Sequence, residues 1–171
     1  MTVLTVLEHP DETLRRSSKA VTAFNDSLSS FVTDLFDTLK HSGGIGMSAP
    51  QLGRLERILV VSVPDDQYGP QVYINPELLK SSRRGLVEES CLSVPGVVGN
   101  VLRATRIRIR ASDQHGVSFE RELDGMHAVC LQHEMDHLNG KLFIDRLSWF
   151  KKLRLRLAGS TVFDNQDHHA A

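Results

Sequence analysis

The chain has 171 residues, enough for one domain whose core holds without disulfide staples. A net charge of −1 and a pI near 6.7 exclude a globally basic nucleic-acid binder, and two cysteines, Cys91 and Cys130, exclude a secreted disulfide framework. No apolar run reaches the length of a membrane span, no signal-peptide pattern opens the chain and no internal repeat is present, so a soluble, cytoplasmic protein is expected.

Residues 3–7 read as a short apolar strand ended by the turn His9-Pro10-Asp11, and 11–24 as a loop with one helical turn. After the polar cap Asn25, residues Leu28, Phe31, Val32, Leu35, Phe36 and Leu39 recur at helical spacing. This predicts an amphipathic helix over 25–40 whose apolar stripe is core. Segment 43–53 is dense in small residues, but it lacks the Lys-Ser/Thr pair of a P-loop and follows a helix instead of a strand, which excludes that role. Small residues let a backbone approach a ligand closely, and Gln51 offers an amide there; a tight connection without chemistry is the alternative. Residues 57–63 and 71–79 are strands rich in Ile and Val. In 103–111, Ile107 and Ile109 alternate with Arg106, Arg108 and Arg110, so the arginines form a solvated face. The turn Asp113-Gln114-His115-Gly116 leads into a strand over 117–123, completing an antiparallel hairpin. Strands precede a last helix instead of alternating with helices, which predicts an α+β fold: antiparallel β-sheets packed around a central metal-binding helix, with an N-terminal amphipathic helix.

That central helix begins after Asp124, a capping residue, and ends at Gly140, with Met126, Val129, Cys130 and Leu138 as its apolar face. His133 and His137 stand one turn apart on one side of it. Two imidazoles so placed can grip one ion, and Glu134 beside them can take a proton from water, the pattern of metal-assisted hydrolysis. Two histidines and an acid aimed at one spot would be costly to bury without a partner, which argues against a helix that merely packs. A tetrahedral catalytic site needs a third protein ligand and one open position. The histidine position used by one group of metalloproteases holds Phe143, and no glutamate follows Glu134, so the third ligand lies upstream unless Asp145, Asp164 or Asp167 serves. Upstream, Cys91 lies in a polar, Pro- and Gly-bounded segment over 88–96.

Three stretches now stand in order: Gly44-Ile45-Gly46-Met47-Ser48-Ala49-Pro50-Gln51, then Glu89-Ser90-Cys91-Leu92-Ser93, then His133-Glu134 with His137. Together they resemble the motifs of the peptide deformylase family, and the likeness runs over about residues 4–147. The resemblance implies Cys91, His133 and His137 as ligands of one divalent metal, Fe²⁺ in the cell, although a one-sulfur, two-nitrogen set also accepts Zn²⁺, Ni²⁺ or Co²⁺. It implies Glu134 as general base and acid, and the Gln51 side chain and Leu92 backbone N–H as donors to the oxyanion. Gly44 and Gly46 would flank the substrate, and Ile45, Val87, Met126, Val129 and Cys130 would line a pocket for a methionine side chain. Cys130, three residues before His133, is the rival thiol, but a ligand from another segment surrounds an ion better. The implied activity is removal of formyl from formyl-methionyl peptides of newly made proteins, releasing formate. A paralogue acting on another N-formyl compound, a peptide-cleaving metalloprotease, and a non-catalytic binding protein with a structural metal are the alternatives.

Two positions depart from the family pattern. Ser48 stands where the loop motif has alanine, and Ser90 where glycine precedes the cysteine. Both are read as small neutral replacements, with substrate fit the property they touch. His127 faces away from the ligand pair and reads, like His9, His41, His115, His168 and His169, as structural or solvated; Arg103 is expected to orient Asp136. In 149–157, Lys151, Lys152, Arg154 and Arg156 alternate with apolar residues, a segment that caps the fold. The resemblance adds a contact of this basic element with ribosomal RNA. One catalytic domain is expected over 1–158, with a disordered tail over 159–171.

Overall fold

The computed structural model describes residues 2–157. Helix α1 (Asp26–Ser42) starts where the Asn25 side chain accepts from the Leu28 N–H at 3.1 Å and stops at Gly43, whose φ of 69° only glycine adopts readily. Its buried stripe of Leu28, Val32, Leu35 and Leu39 is the one its spacing predicts. Five strands, β1 (Gly46–Ser48), β2 (Ile58–Val61), β3 (Gln71–Cys91), β4 (Val94–Ser112) and β5 (Ser118–Asp124), form one antiparallel sheet in chain order. Helix α2 (Gly125–Leu138) follows β5 directly, and α3 (Trp149–Leu157) ends the described chain.

The layers follow from the side-chain alternation of β2. Ile58 and Val60 pack with Leu28, Val32 and Leu35 of α1, while Leu59 and Val61 pack with Ala128, Leu131 and Leu138 of α2. A strand covered on both faces reads as an unbroken apolar run, and Ile58-Leu59-Val60-Val61 is one. A third cluster, around Leu14, Val97, Val101, Phe143 and Leu147, packs against Cys91.

Several expectations change. Residues 3–7 do not form a strand: the Leu4 N–H donates to Thr38 Oγ1 at 3.0 Å and the Leu7 N–H to the Gln51 carbonyl at 2.7 Å, which tie the segment down without a ladder. The loop 43–53 contains β1 and a 3₁₀ turn at Ala49–Leu52. Strand β3 does not stop at 79 but runs to Cys91, so the polar segment over 88–96 begins as strand and turns at Leu92-Ser93. Its middle, 77–84, is exposed and carries no apolar alternation; cross-strand pairing with β4, from Leu78 opposite Ile109 to Arg84 opposite Ala104, holds it extended. Antiparallel sheet therefore appears as one sheet, with α2 against one face. The tail expected over 159–171 lies outside the described residues.

Candidate metal centre

Cys91 ends β3, and Leu92 and Ser93 make the tight two-residue turn into β4. This turn points the Cys91 sulfur at α2. Asp124 occupies the cap position of α2 without a side-chain cap bond, and the helix sets His133 and His137 one turn apart with ring centroids 5.1 Å from each other. Cys91 Sγ lies 3.3 Å from His137 Nε2, and one ligand atom from each of Cys91, His133 and His137 falls within 4.8 Å of the others. Among the described residues no other such group of histidine, cysteine and acid exists.

The donor set fits a divalent ion. His137 is buried and held neutral, because burial and the charge of His133 push its ring well below the ordinary imidazole value, and a neutral imidazole is what a metal binds. Burial works against charge on His133, but its hydrogen bonds to Cys91 and Glu89 outweigh that and lift the ring to about 10. A cation among these three groups would take the place of that proton. Cys130 stands outside this set: its Sγ donates to the Ile45 carbonyl at 3.5 Å, and burial, with Glu134 nearby, pushes its thiol well above the usual range. Asp145 pairs with Arg15 at 2.6 Å; Asp164 and Asp167 lie outside the described residues.

Behind Cys91, His133 and His137 sits a buried charge network. His133 Nδ1 meets Glu89 Oε2 at 2.9 Å, which leaves Nε2 for an ion. Arg103, 2% exposed, donates to both oxygens of Glu89 at 2.6 and 3.0 Å and to Asp136 at 2.6 Å. Arg146 adds two bonds to Asp136, each 2.5 Å. Burial opposes charge on Glu89, yet Arg103 and His133 hold its carboxyl down at about 2. The Arg103–Asp136 pair was expected, whereas Glu89 was missed. Its signal was available, since Glu89 and Cys91 share one face of a strand, but that needs β3 to extend this far. Phe143, at the excluded ligand position, stacks on His133 with centroids 6.1 Å apart.

The front of the centre opens into a cleft of about 630 Å³. Gly44, Ile45, Gly46, Gln51, Val87, Cys91, Leu92, Met126, Val129, Cys130, His133 and Glu134 all line it, while His137 lies buried behind. Glu8, Ser42, Glu88, Ser90 and Pro95 also line it; of these only Ser90 was singled out in sequence. A Cβ on Gly46 would come within 2.4 Å of Cys130 Sγ and 2.7 Å of Glu134 Oε1, so only glycine lets the loop pass this close. Ser90 is not among the residues at positive φ, and no backbone strain attends it. Glu134 is 3% exposed, its Oε2 has no hydrogen-bond partner, and burial raises its carboxyl to about 7 against the lowering influence of His133 and Ser48. His127 proves to be a buried bridge, with Tyr73 Oη at 2.7 Å on Nε2 and Asp66 Oδ2 at 2.5 Å on Nδ1.

A family model for polypeptide deformylase matches residues 3–153. The chain belongs to the peptide deformylase family. The peptide deformylase of Baumannia cicadellinicola is 46% identical over 167 residues, covering 98% of this chain and 100% of its own. That of Chromobacterium violaceum is 40% identical over 156 residues, covering 91% and 93%. The crystal structure of a peptide deformylase from Legionella pneumophila superposes with a TM-score of 0.85 at 41% identity, covering 91% of this chain and 92% of that one. This deformylase is thus a metal-dependent hydrolase that removes the N-terminal formyl group from newly made peptides, and its Cys91, His133 and His137 form a group able to hold the ion. No helix of the described residues is long and apolar enough to cross a membrane.

Proposed function

We propose that this deformylase acts on formyl-methionyl peptides in the cytoplasm through the cleft above α2, with Fe²⁺ held by Cys91, His133 and His137; Zn²⁺, Ni²⁺ and Co²⁺ suit the same ligands. One observation carries the reading: a buried carboxylate, Glu134, and a buried amide, Gln51, face the same cleft as Cys91 and His133, with His137 directly behind them. A bound ion supplies Lewis-acid polarisation of the formyl carbonyl and a water acidic enough to attack at neutral pH. Glu134 takes the proton from the attacking water and returns it to the departing amine, and its unpartnered Oε2 is free for both transfers. Gln51 Nε2 and the Leu92 N–H face the negative charge that grows on the carbonyl oxygen; removing such a donor costs about 3 kcal/mol of barrier. Ile45, Val87, Met126, Val129 and Cys130 hold the methionine side chain, and Gly44 and Gly46 let the peptide backbone come close. A formyl carbon bears only hydrogen, so a cramped cleft admits it and refuses larger acyl groups.

Residues 1–158 act as one catalytic domain in this reading. Helix α3, with Trp149 and Phe150 exposed beside Lys151, Lys152 and Arg154, is the element offered to the ribosome. Salt-dependent co-sedimentation of the protein with ribosomes tests that contact. For the chemistry, formate release from a formyl-Met peptide is measured with the parent and with Glu134→Gln. The substitution is expected to abolish turnover while metal content stays at that of the parent; full activity in the variant would remove Glu134 from the mechanism.

A further inference from the structure

Ser48 is one of the two departures from the family pattern, and the structure gives its hydroxyl a partner inside the site. The side chain is fully buried between β1 and the 3₁₀ turn that carries Gln51. A buried hydroxyl needs a hydrogen bond, and Ser48 Oγ donates to Gln51 Oε1 at 2.9 Å. The Ser48 backbone N–H donates to the same oxygen at 2.8 Å, so both lone pairs of Oε1 are occupied. At the other end of the amide, Nε2 donates to Ser93 Oγ at 3.2 Å and lies 3.9 Å from Cys91 Sγ. Gln51 is therefore gripped at both ends, with its N–H side turned to the metal centre. Alanine at 48 would keep the backbone donor and lose the hydroxyl.

We propose that Ser48 is a positioning residue: its hydroxyl anchors the Gln51 carbonyl and so holds the Gln51 amide aimed at the reacting carbonyl. Two effects add. The second anchor narrows the swing of a side chain that must present one N–H at a fixed place, and a carbonyl that accepts two bonds makes its own amide N–H a stronger donor. The inference rests on the reading of Gln51 as an oxyanion donor. Ser48 Oγ also lies near the Glu134 carboxylate, and its single proton serves only one acceptor at a time, so the test must separate a route through Gln51 from one through Glu134.

The experiment is a double-mutant cycle on the metal-loaded enzyme with a formyl-Met tripeptide, using Ser48→Ala, Gln51→Ala and the pair, with metal content and thermal midpoint measured for each. Ser48→Ala is expected to lower kcat about fivefold with KM unchanged, the size of one hydrogen bond. Gln51→Ala is expected to lower kcat about a hundredfold, and the double variant to be no slower than Gln51→Ala alone. A second readout does not use turnover: in ¹⁵N-labelled protein without metal, the Gln51 side-chain NH₂ resonances should move or broaden on Ser48→Ala. If Ser48→Ala slows the enzyme as much in the Gln51→Ala background as in the parent, the hydroxyl acts elsewhere and the proposal fails. It also fails if Ser48→Ala leaves kcat within twofold of the parent while Gln51→Ala is costly. Full activity of Gln51→Ala would remove Gln51 from the chemistry and overturn both readings together.

Discussion

Strand β4 carries four arginines that meet opposite fates. Arg103 points inward, 2% exposed, and its guanidinium is shared between Glu89 and Asp136 behind the metal centre. Arg106, Arg108 and Arg110 point outward and pair across to β5, Arg106 with Glu122 at 2.6 Å and Arg108 and Arg110 with Glu120 at 2.8 Å. Each outer side chain is about half exposed, so water and salt screen these pairs. The inner arginine has no such screen. One residue type on one strand thus serves as a buried brace or as a solvated ladder, according to the face it occupies.

The sharpest break of this comparison is Arg103→Met, which removes the cation shared by two buried carboxylates and leaves Glu89 only His133 and Asp136 only Arg146; it is expected to lower unfolding stability by about 3–5 kcal/mol in urea titration. A loss as small as that of an outer arginine would mean the network is not the brace described. Glu89→Gln keeps the shape but weakens the grip on His133, and metal affinity, read by competition with a chelator, should fall about 10- to 100-fold. Tyr73 extends the comparison to a buried group elsewhere in the core. Burial raises its hydroxyl to about 12 from an ordinary value of 10.0, so the folded state favours the protonated form. Its stabilisation is complete below pH 10 and is lost as pH rises towards 12, and Tyr73→Phe, though less stable at neutral pH, should lack that alkaline decline. Smallest of all, Arg106→Gln is expected to shift the thermal midpoint by less than about 2 °C at 0.15 M salt.

Much of the scaffold was legible from neighbouring residues. The apolar stripe of α1, the strand over 117–123 and the helix bearing His133, Glu134 and His137 show a period of 3.6 or 2 within a few residues, and the strand over 57–63 shows itself by an unbroken apolar run. Strand β3 did not, because its exposed middle buries nothing and is held by pairing with β4, a partner no local pattern names. Ser48 escaped for a related cause. As a small residue in a Gly-rich loop it reads as filler, and only the 3₁₀ turn brings Gln51 Oε1 back onto its hydroxyl.

The amino-acid order alone determined the pair of imidazoles on one helix face, the acid beside them and the three motifs that mark the family, because these are matters of spacing along the chain. Tertiary structure decided what surrounds them: the turn that delivers Cys91 to His137 from 46 positions away, the Arg103 clamp on Glu89 and the anchor on Gln51. Contacts between segments so far apart arise from how β3, β4 and α2 pack, and sheet register and side-chain burial, not sequence neighbours, set which groups meet.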